Sequence, residues 1–229
     1  MIEAIVFDLD GTLIDSMGDI AASVNRMRES FGLAALPVPE IAAMTGNGAV
    51  VLTTRALQGT GCDVEEGVKR QKDFYNAYPV VATTLYPGVQ EGLEKLFLAG
   101  IPMAVVTNKP TETALKILST LGVSRYFKHI WGGDSGFPLK PAPAALLAFQ
   151  KECGAKQENC WMVGDHYTDL GAGRQAGFKR GFCAWGYGEV RDESFDREFA
   201  SFSEFTAAVS GSSDRDFKSQ AEYSVPVME

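Results

Sequence analysis

The sequence predicts an α/β fold in which a three-layer, Rossmann-like parallel sheet forms the core and an α-helical cap domain is inserted into it. Strand-like apolar stretches alternate with helical ones after residue 82, which is the pattern of a parallel sheet with helices on both faces. A long helical segment without strand-like alternation separates the first strand from the second. The chain of 229 residues is long enough for such a core and an insertion.

Five short stretches have the composition of buried strands. Each is rich in β-branched, aromatic or other apolar residues, as expected for strands that are covered on both faces. They are residues 2–7 (IEAIVF), 101–107 (IPMAVVT), 128–132 (KHIWG), 159–164 (NCWMVG) and 179–185 (KRGFCAW).

Helical patterns lie before and between the last four strands, and each is followed by a glycine that suits a C-cap. They are marked by Val89, Leu93, Leu96 and Phe97 before Gly100, by Leu115, Leu118 and Leu121 before Gly122, by Leu146, Leu147, Gln150 and Cys153 before Gly154, and by residues 168–176 before Gly177.

Residues 16–82 read as the helical cap domain. Ser16 and Asp19 have the spacing of a capping box, and further helices are expected near 48–58 and 64–77. The first cap helix has one apolar face, formed by Ile20, Val24, Met27 and Phe31. Residues 1–15 and 83–209 then form the core domain. Residues 210–229 are polar and aperiodic, so we expect a mobile C-terminal tail.

Composition favours a cytoplasmic enzyme over a nucleic-acid or membrane protein. The formal net charge of −8 disfavours binding to nucleic acid or to an anionic membrane surface. No apolar run has the length of a membrane span, and the chain opens without a basic, signal-like segment. Its four cysteines are scattered, which argues for reduced thiols and against a zinc site.

Polar side chains follow four of the predicted strands at their carboxyl ends. Each alone is ordinary turn, loop or cap chemistry, but parallel strands bring their carboxyl ends to one edge, where ligands bind. The residues are Asp8 and Asp10 after the first strand, Thr107 and Asn108 after the second, Lys140 in the loop after the third, and Asp165 and Asp169 after the fourth.

Such a cluster predicts metal-assisted phosphoryl transfer. Several carboxylates without cysteine or histidine ligands favour a hard cation, with Mg²⁺ as the first choice. Together with Lys140, the cation would bind a tetrahedral dianion. One aspartate of the Asp8-Leu9-Asp10 segment would attack phosphorus, and the other would serve as acid and base.

The motifs DLDGT, VVTNK, KPAP and GDHYTD, in this order, resemble those of the haloacid dehalogenase superfamily. A helical insertion after the first motif is similar to its type-one cap branch. Within that branch, TGNGAVVLTTRAL, YPGV and GGDS are similar to segments of phosphoglycolate phosphatases. The resemblance covers roughly residues 2–190.

The resemblance implies a role for each matched residue. It makes Asp8 the nucleophile and Asp10 the acid/base. Mg²⁺ would be held by Asp8, by the backbone carbonyl of Asp10 and by Asp165, with Asp169 as a supporting ligand. Phosphate would be bound by Thr107, Asn108 and Lys140, and substrate choice would fall to the cap residues Thr45, Asn47 and Arg55.

The expected function is Mg²⁺-dependent hydrolysis of a small phosphate monoester, with 2-phosphoglycolate as the leading substrate, through an aspartyl-phosphate. Nucleotides, sugar phosphates and pyrophosphate remain open as substrates. A sugar-phosphate mutase similar to β-phosphoglucomutase and a non-catalytic binding module also remain open as functions. We expect a monomer or homodimer. His166 stands where relatives often carry a small residue, and it reads either as a solvent-facing rim residue or as a ring that affects substrate choice and pH dependence.

Overall fold

A six-stranded parallel sheet is the centre of the part of the chain, residues 2–210, that this computed structural model describes. The strands are β1 (Ala4–Phe7), β2 (Ile14–Asp15), β3 (Thr84–Leu85), β4 (Met103–Val106), β5 (His129–Trp131), β6 (Cys160–Gly164), β7 (Lys179–Cys183) and β8 (Arg197–Phe199). The sheet has the order β5-β4-β1-β6-β7-β8, with every neighbouring pair parallel. The predicted α/β fold class is confirmed, and β1 lies between β4 and β6 inside the sheet.

Helices account for most of the remaining described residues. They are α1 (Met17–Ser30), α2 (Val38–Ala42), α3 (Ala49–Ala56), α4 (Val64–Ala77), α5 (Val89–Leu98), α6 (Thr111–Thr120), α7 (Ala144–Cys153), α8 (Tyr167–Ala176) and α9 (Phe202–Ser210), with short 3-10 turns at Ser124–Tyr126 and Gln157–Asn159. The structure therefore contains the helices expected from the periodicity of the sequence, and adds α2 and α9. No helix within residues 2–210 is both long and apolar enough to cross a bilayer.

The sheet separates two hydrophobic clusters, which gives the molecule its three layers. Successive side chains of a strand point to opposite faces. Ile5 and Phe7 pack in one cluster with residues of α5, α6 and α9. Ala4 and Val6 pack in the other cluster with residues of α7 and α8. Burial on both faces explains why β1, β4 and β6 are almost entirely apolar.

The helices α1–α4, called here the cap helices, lie in the chain between β2 and β3. These two strands form an antiparallel pair, the hinge ribbon, in which Ile14 faces Leu85 and Asp15 faces Thr84. The predicted cap segment, residues 16–82, begins and ends beside this ribbon. We propose that it is a separate domain. Within it, α1 packs along α4 and α3 also contacts α4.

The predicted capping box at the start of α1 is wrong. Ser16 is the N-cap residue but its side chain makes no capping hydrogen bond. Asp19 instead accepts hydrogen bonds from the backbone N–H groups of Val81, Ala82 and Thr83 and from the Thr83 hydroxyl. The Asp19 carboxylate, in the first turn of α1, thus connects this helix to the C-terminal end of the cap segment, just before β3.

Two helix faces also differ from the expected ones. Leu115 and Phe97 are exposed, and the buried positions of α6 are Thr113, Ala114, Ile117 and Leu118. Leu118 is buried as predicted, and α6 is rotated so that Ala114 and Ile117 are buried in place of Leu115. The additional elements β8 and α9 extend the sheet and cover one face of it. Ser210 ends α9, and the rest of the predicted mobile tail lies outside the described residues.

Candidate active site

Asp8 stands immediately beyond β1, at the middle of the sheet edge. Its backbone N–H donates to the carbonyl of Val163 at 2.9 Å, which continues the pairing of β1 with β6. Its carboxylate Oδ1 lies 2.6 Å from the ammonium Nζ of Lys140. That ammonium is also 2.6 Å from Asp169 Oδ1, so one buried lysine holds two carboxylates.

A third carboxylate completes the acidic cluster. One oxygen each of Asp8, Asp165 and Asp169 lies within 4.8 Å of the others. Asp165 Oδ2 accepts the backbone N–H groups of Tyr187 and Gly188, at 3.0 and 2.8 Å, which fixes its orientation. Three converging carboxylate oxygens are the donor set that a hard cation such as Mg²⁺ prefers, so the residues present fit this ion.

The positions of the cluster carboxylates explain why the DLDGT motif has a glycine at position 11. Gly11 has a φ of +80°, and a Cβ there would lie 2.1 Å from Asp165 Oδ2. Any other residue at position 11 would combine an unfavourable backbone conformation with a collision against a cluster carboxylate.

The cluster carries more negative charge than the protein itself neutralises. Burial, followed by the charge of Asp169, raises the pKa of Asp8 to about 6, although Lys140 opposes this. Burial and the charges of Asp169 and Asp8 raise the pKa of Asp165 well above its usual range, against the two backbone N–H donors. A bound cation would oppose both shifts, since its positive charge stabilises the ionised carboxylates that burial disfavours.

Asp10 has different partners from Asp8. Both of its oxygens are bound by Lys109 Nζ, at 2.9 and 2.8 Å, and Ser16 Oγ donates to Oδ1 at 2.5 Å. Its side chain is therefore engaged in an ion pair that was not predicted from the sequence. Lys109 directly follows the predicted pair Thr107-Asn108, so its position at the same sheet edge was the available signal.

Thr107 and Asn108 both line the site, but only one has a free side-chain donor. Thr107 Oγ1 accepts the N–H of Lys109, which leaves its hydroxyl hydrogen for a ligand. The Asn108 amide accepts the N–H of Lys140 and donates to the carbonyls of Lys140 and Gly46. Its side chain therefore connects the core to the cap loop and is engaged within the protein.

The three cap residues expected to contact substrate differ in their positions relative to the cavity. Thr45 lines the cavity, with its hydroxyl donated to the carbonyl of Ala42. The Asn47 amide donates to the phenol oxygen of Tyr167 at 2.6 Å. Arg55 donates to the carbonyl of Met44 and is not among the residues that line the cavity. Its position on α3 directs the guanidinium to the loop that carries Thr45, so it supports that loop.

His166 is buried, which contradicts the solvent-facing interpretation. It is the N-cap residue of α8, and its Nδ1 lies 2.9 Å from Thr168 Oγ1. A true capping box exists here, since the His166 N–H donates to Asp169. Burial lowers the pKa of the imidazole to about 4, despite the opposing charge of Asp8. The ring is therefore neutral near pH 7.

A cavity of about 100 Å³ lies beneath the cap helices, and the predicted residues that line it are Asp8, Asp10, Thr45, Thr107, Asn108, Lys140 and Asp165. Core residues form its floor and cap residues its roof. Several lining residues were not predicted from sequence, among them Gln71 and Tyr75 of α4, Lys109, and the loop residues Tyr187 and Gly188. The segment Trp185-Gly186-Tyr187-Gly188 follows β7 at the same sheet edge, which was a usable signal. The sequence around Gln71 and Tyr75 contains no comparable signal.

Comparison with known proteins shows the family to which the chain belongs. Residues 5–182 match the family of haloacid dehalogenase-like hydrolases, and the chain belongs to this family. Its relatives include Phosphoglycolate phosphatase 1 of Pseudomonas aeruginosa, 38% identical over 82% of this chain and 71% of the relative. The phosphoglycolate phosphatase of Psychrobacter arcticus is 36% identical over 90% of this chain and 94% of the relative.

Solved structures agree with the sequence relatives. The crystal structure of a predicted phosphoglycolate phosphatase from Haemophilus somnus superposes with a TM-score of 0.85 at 29% identity, covering 91% of this chain and 98% of the other. The resemblance stated from the sequence motifs is confirmed. So is the expected enzyme class, a hydrolase of phosphoric monoesters.

Proposed function

We propose that this enzyme hydrolyses 2-phosphoglycolate through an aspartyl-phosphate on Asp8, with Mg²⁺ as its cofactor. The observation that carries the proposal is the Asp8 carboxylate, which is buried at the sheet edge, bound to Lys140 and next to the carboxylates of Asp165 and Asp169. The names of the relatives at 36–38% identity support the choice of substrate.

Asp8 acts first in this mechanism. Its free carboxylate oxygen attacks phosphorus, and the bond from phosphorus to the bridging oxygen breaks. Asp10 gives a proton to the departing glycolate oxygen. It then takes a proton from a water molecule, whose oxygen attacks the phosphorus of the aspartyl-phosphate and restores Asp8.

The remaining core groups position charge. Lys140 neutralises the phosphoryl oxygens next to Asp8, and the Thr107 hydroxyl donates a hydrogen bond to one of them. Asp8, Asp165 and the backbone carbonyl of Asp10 would hold Mg²⁺, with Asp169 in support. When bound, Mg²⁺ supplies the positive charge that lets a carboxylate approach an anionic phosphate.

The cap would exclude bulk water during the reaction. In the described structure the Gly46 carbonyl of the cap loop accepts a hydrogen bond from Asn108, so the loop rests on the core over the cavity. A cavity of about 100 Å³ favours a small ester over a nucleotide or a large sugar phosphate.

The test is phosphate release from a panel of esters, with Mg²⁺ and with EDTA. The panel contains 2-phosphoglycolate, nucleoside monophosphates, hexose phosphates and pyrophosphate. We expect Mg²⁺-dependent release that is greatest for 2-phosphoglycolate and absent with EDTA. Preference for another ester would reject the substrate, and undiminished turnover after full chelation would reject Mg²⁺. A stable phosphoenzyme with little phosphate release would indicate a mutase instead.

A further inference from the structure

Lys109 is a buried cation of the cavity that the proposed mechanism does not use. Its side chain is 9% exposed and its ammonium is bound to Asp10. The lysines that line the cavity, within residues 2–210, are Lys72, Lys109 and Lys140. Lys140 binds Asp8 and Asp169 and is assigned to the phosphoryl group in the proposed mechanism, and Lys72 is exposed. Lys109 is therefore the cation in the cavity interior that remains for a second anionic group of the substrate.

A second observation points to a ligand at the same place. Tyr75 of α4 lines the cavity, and its ring centroid lies 4.5 Å from Lys109 Nζ. The residue is 6% exposed, and its hydroxyl oxygen is buried close to Lys109 but has no partner with normal hydrogen-bond geometry among the described residues. Buried hydroxyl groups are normally hydrogen-bonded, so an unpaired one beside a cation in a cavity suits an anionic ligand group.

The geometry of the proposed reaction places the carboxylate of the leaving group near Lys109 and Tyr75. Asp10 must reach the bridging oxygen in order to protonate it, so the leaving group lies on the Asp10 side of phosphorus. Because Lys109 binds both oxygens of Asp10, it lies on that side as well. In 2-phosphoglycolate the leaving group carries a carboxylate one carbon from the bridging oxygen.

We propose that Lys109 and Tyr75 form the subsite for the carboxylate of the leaving group, and that the substrate takes Lys109 from Asp10. An ammonium that binds both oxygens of a carboxylate fixes the direction of that side chain. When the substrate carboxylate replaces Asp10 on Lys109, the Asp10 side chain becomes free to turn to the bridging oxygen. Esters without this carboxylate leave Asp10 held. The inference rests on the proposed function, since it concerns the same substrate.

The experiment compares 2-phosphoglycolate with ethyl phosphate, which has a methyl group in place of the carboxylate. The readout is the ratio of the two kcat/KM values in Mg²⁺ for the wild type and for Lys109→Met and Tyr75→Phe. We expect the wild type to favour 2-phosphoglycolate. Lys109→Met should lower the ratio by about 10²-fold, since a buried charged contact is lost for one substrate alone.

Tyr75→Phe is the conservative variant, because it removes one oxygen and keeps the ring. It should raise the KM for 2-phosphoglycolate about 5-fold, with little change in the KM for ethyl phosphate. Lys72→Met is the matched control for loss of positive charge at the cavity mouth, and should leave the ratio within about 2-fold. Melting temperatures of all variants show whether each is folded.

Each other outcome overturns the inference in a distinct way. Equal losses on both substrates in Lys109→Met would mean that Lys109 only positions Asp10. A collapse of the ratio in Lys72→Met would move the carboxylate to the cavity mouth. If Lys109→Met does not fold, an unchanged KM ratio in Tyr75→Phe overturns the subsite. A wild type that hydrolyses neither ester rejects the proposed function, and the subsite with it.

Discussion

Asp8 and Asp10 are two residues apart in one motif, yet their surroundings give them different chemistry. Asp8 is buried with Lys140 beside two other carboxylates. Asp10 is bound to Lys109 and Ser16. These different surroundings agree with the two roles proposed above, in which Asp8 is the nucleophile and Asp10 transfers protons. This division of roles follows from neighbours that are distant in sequence.

Replacing Asp8 with asparagine separates its catalytic role from its effect on stability. Asp8→Asn should lower kcat by at least about 10³-fold, because an amide cannot form the acyl phosphate. In EDTA its melting temperature should rise, since one of three neighbouring carboxylates is removed while Lys140 keeps Asp169. Phosphate-release kinetics and thermal unfolding measure the two effects. A lower metal-free melting temperature would contradict the charge argument.

At the level of residues, the sequence predicted which residues line the cavity better than it predicted the contacts that their side chains make. Asp8, Asp10, Thr107, Asn108, Lys140 and Asp165 line one cavity, because the parallel topology brings strand ends together. The partner of Asp10 and the burial of His166 depend on side-chain directions and on α8 packing, which no local pattern encodes. Arg55 donates to the carbonyl of Met44 and so contacts the cap loop, and its role in substrate choice stays a prediction.

Among the elements, α1 carries a contact that joins both ends of the cap segment. Burial raises the pKa of Asp19, but the hydrogen bonds from Thr83, Ala82 and Val81 outweigh burial and hold the pKa below its usual value. Because the folded pKa is the lower one, the contribution to stability is present above the unfolded pKa. It is lost as the pH falls through the folded pKa.

Asp19→Asn tests this contact through its pH dependence. At pH 7 the variant should lose about 1–3 kcal/mol of unfolding free energy, because an amide offers one acceptor oxygen to several donors. The difference from wild type should narrow as the pH falls below about 4. Urea unfolding over a pH series measures it, with the exposed Asp73→Asn as control. A difference that is independent of pH would show that ionisation of Asp19 is not involved.

The loop between α2 and α3 closes on the core through a glycine. Gly46 has a φ of +91°, and a Cβ there would lie 2.4 Å from the ring of His166. Gly59 has a similar φ of +74° but no atom within 4 Å of an added Cβ. Alanine substitutions at Gly46 and Gly59 therefore distinguish the effect of backbone strain from the effect of displacing the cap loop.

Gly46→Ala should reduce kcat/KM about 10-fold or more, because the displaced loop no longer completes the cavity. Gly59→Ala should cost about 1 kcal/mol of stability, as Gly46→Ala also does, but should keep its activity. Steady-state kinetics with 2-phosphoglycolate and urea unfolding supply both measurements. Equal activities in the two variants would exclude a role for the contact with His166.

Elements with strong periodicity were predicted best. The strands β1, β4, β6 and β7 and the helices α5–α8 occur where the sequence places them, although each observed strand is shorter than predicted. β8 (REF) is short and charged, and it becomes a strand only through pairing with β7. The rotation of α6 has a similar origin, since packing on the sheet selects Ala114 and Ile117 over Leu115.

For the whole molecule, the excess of buried negative charge makes thermal stability a test of the proposed metal site. A cation that binds only the folded state raises the unfolding free energy, by about 2.7 kcal/mol at one hundred times its Kd. Mg²⁺ should therefore raise the melting temperature of the wild type. The rise should be much smaller in Asp165→Asn, which loses a charged ligand, and should persist in the control Asp73→Asn. An equal rise in all three proteins would place the ion elsewhere.

The hinge ribbon also bears on how such a chain is assembled from parts. Ile14 faces Leu85 and Asp15 faces Thr84, so the polypeptide departs and returns at adjacent points. The two ends of the cap segment therefore lie side by side, so an insertion of another length can begin and finish at the same two points without shifting the register of any strand in the six-stranded sheet.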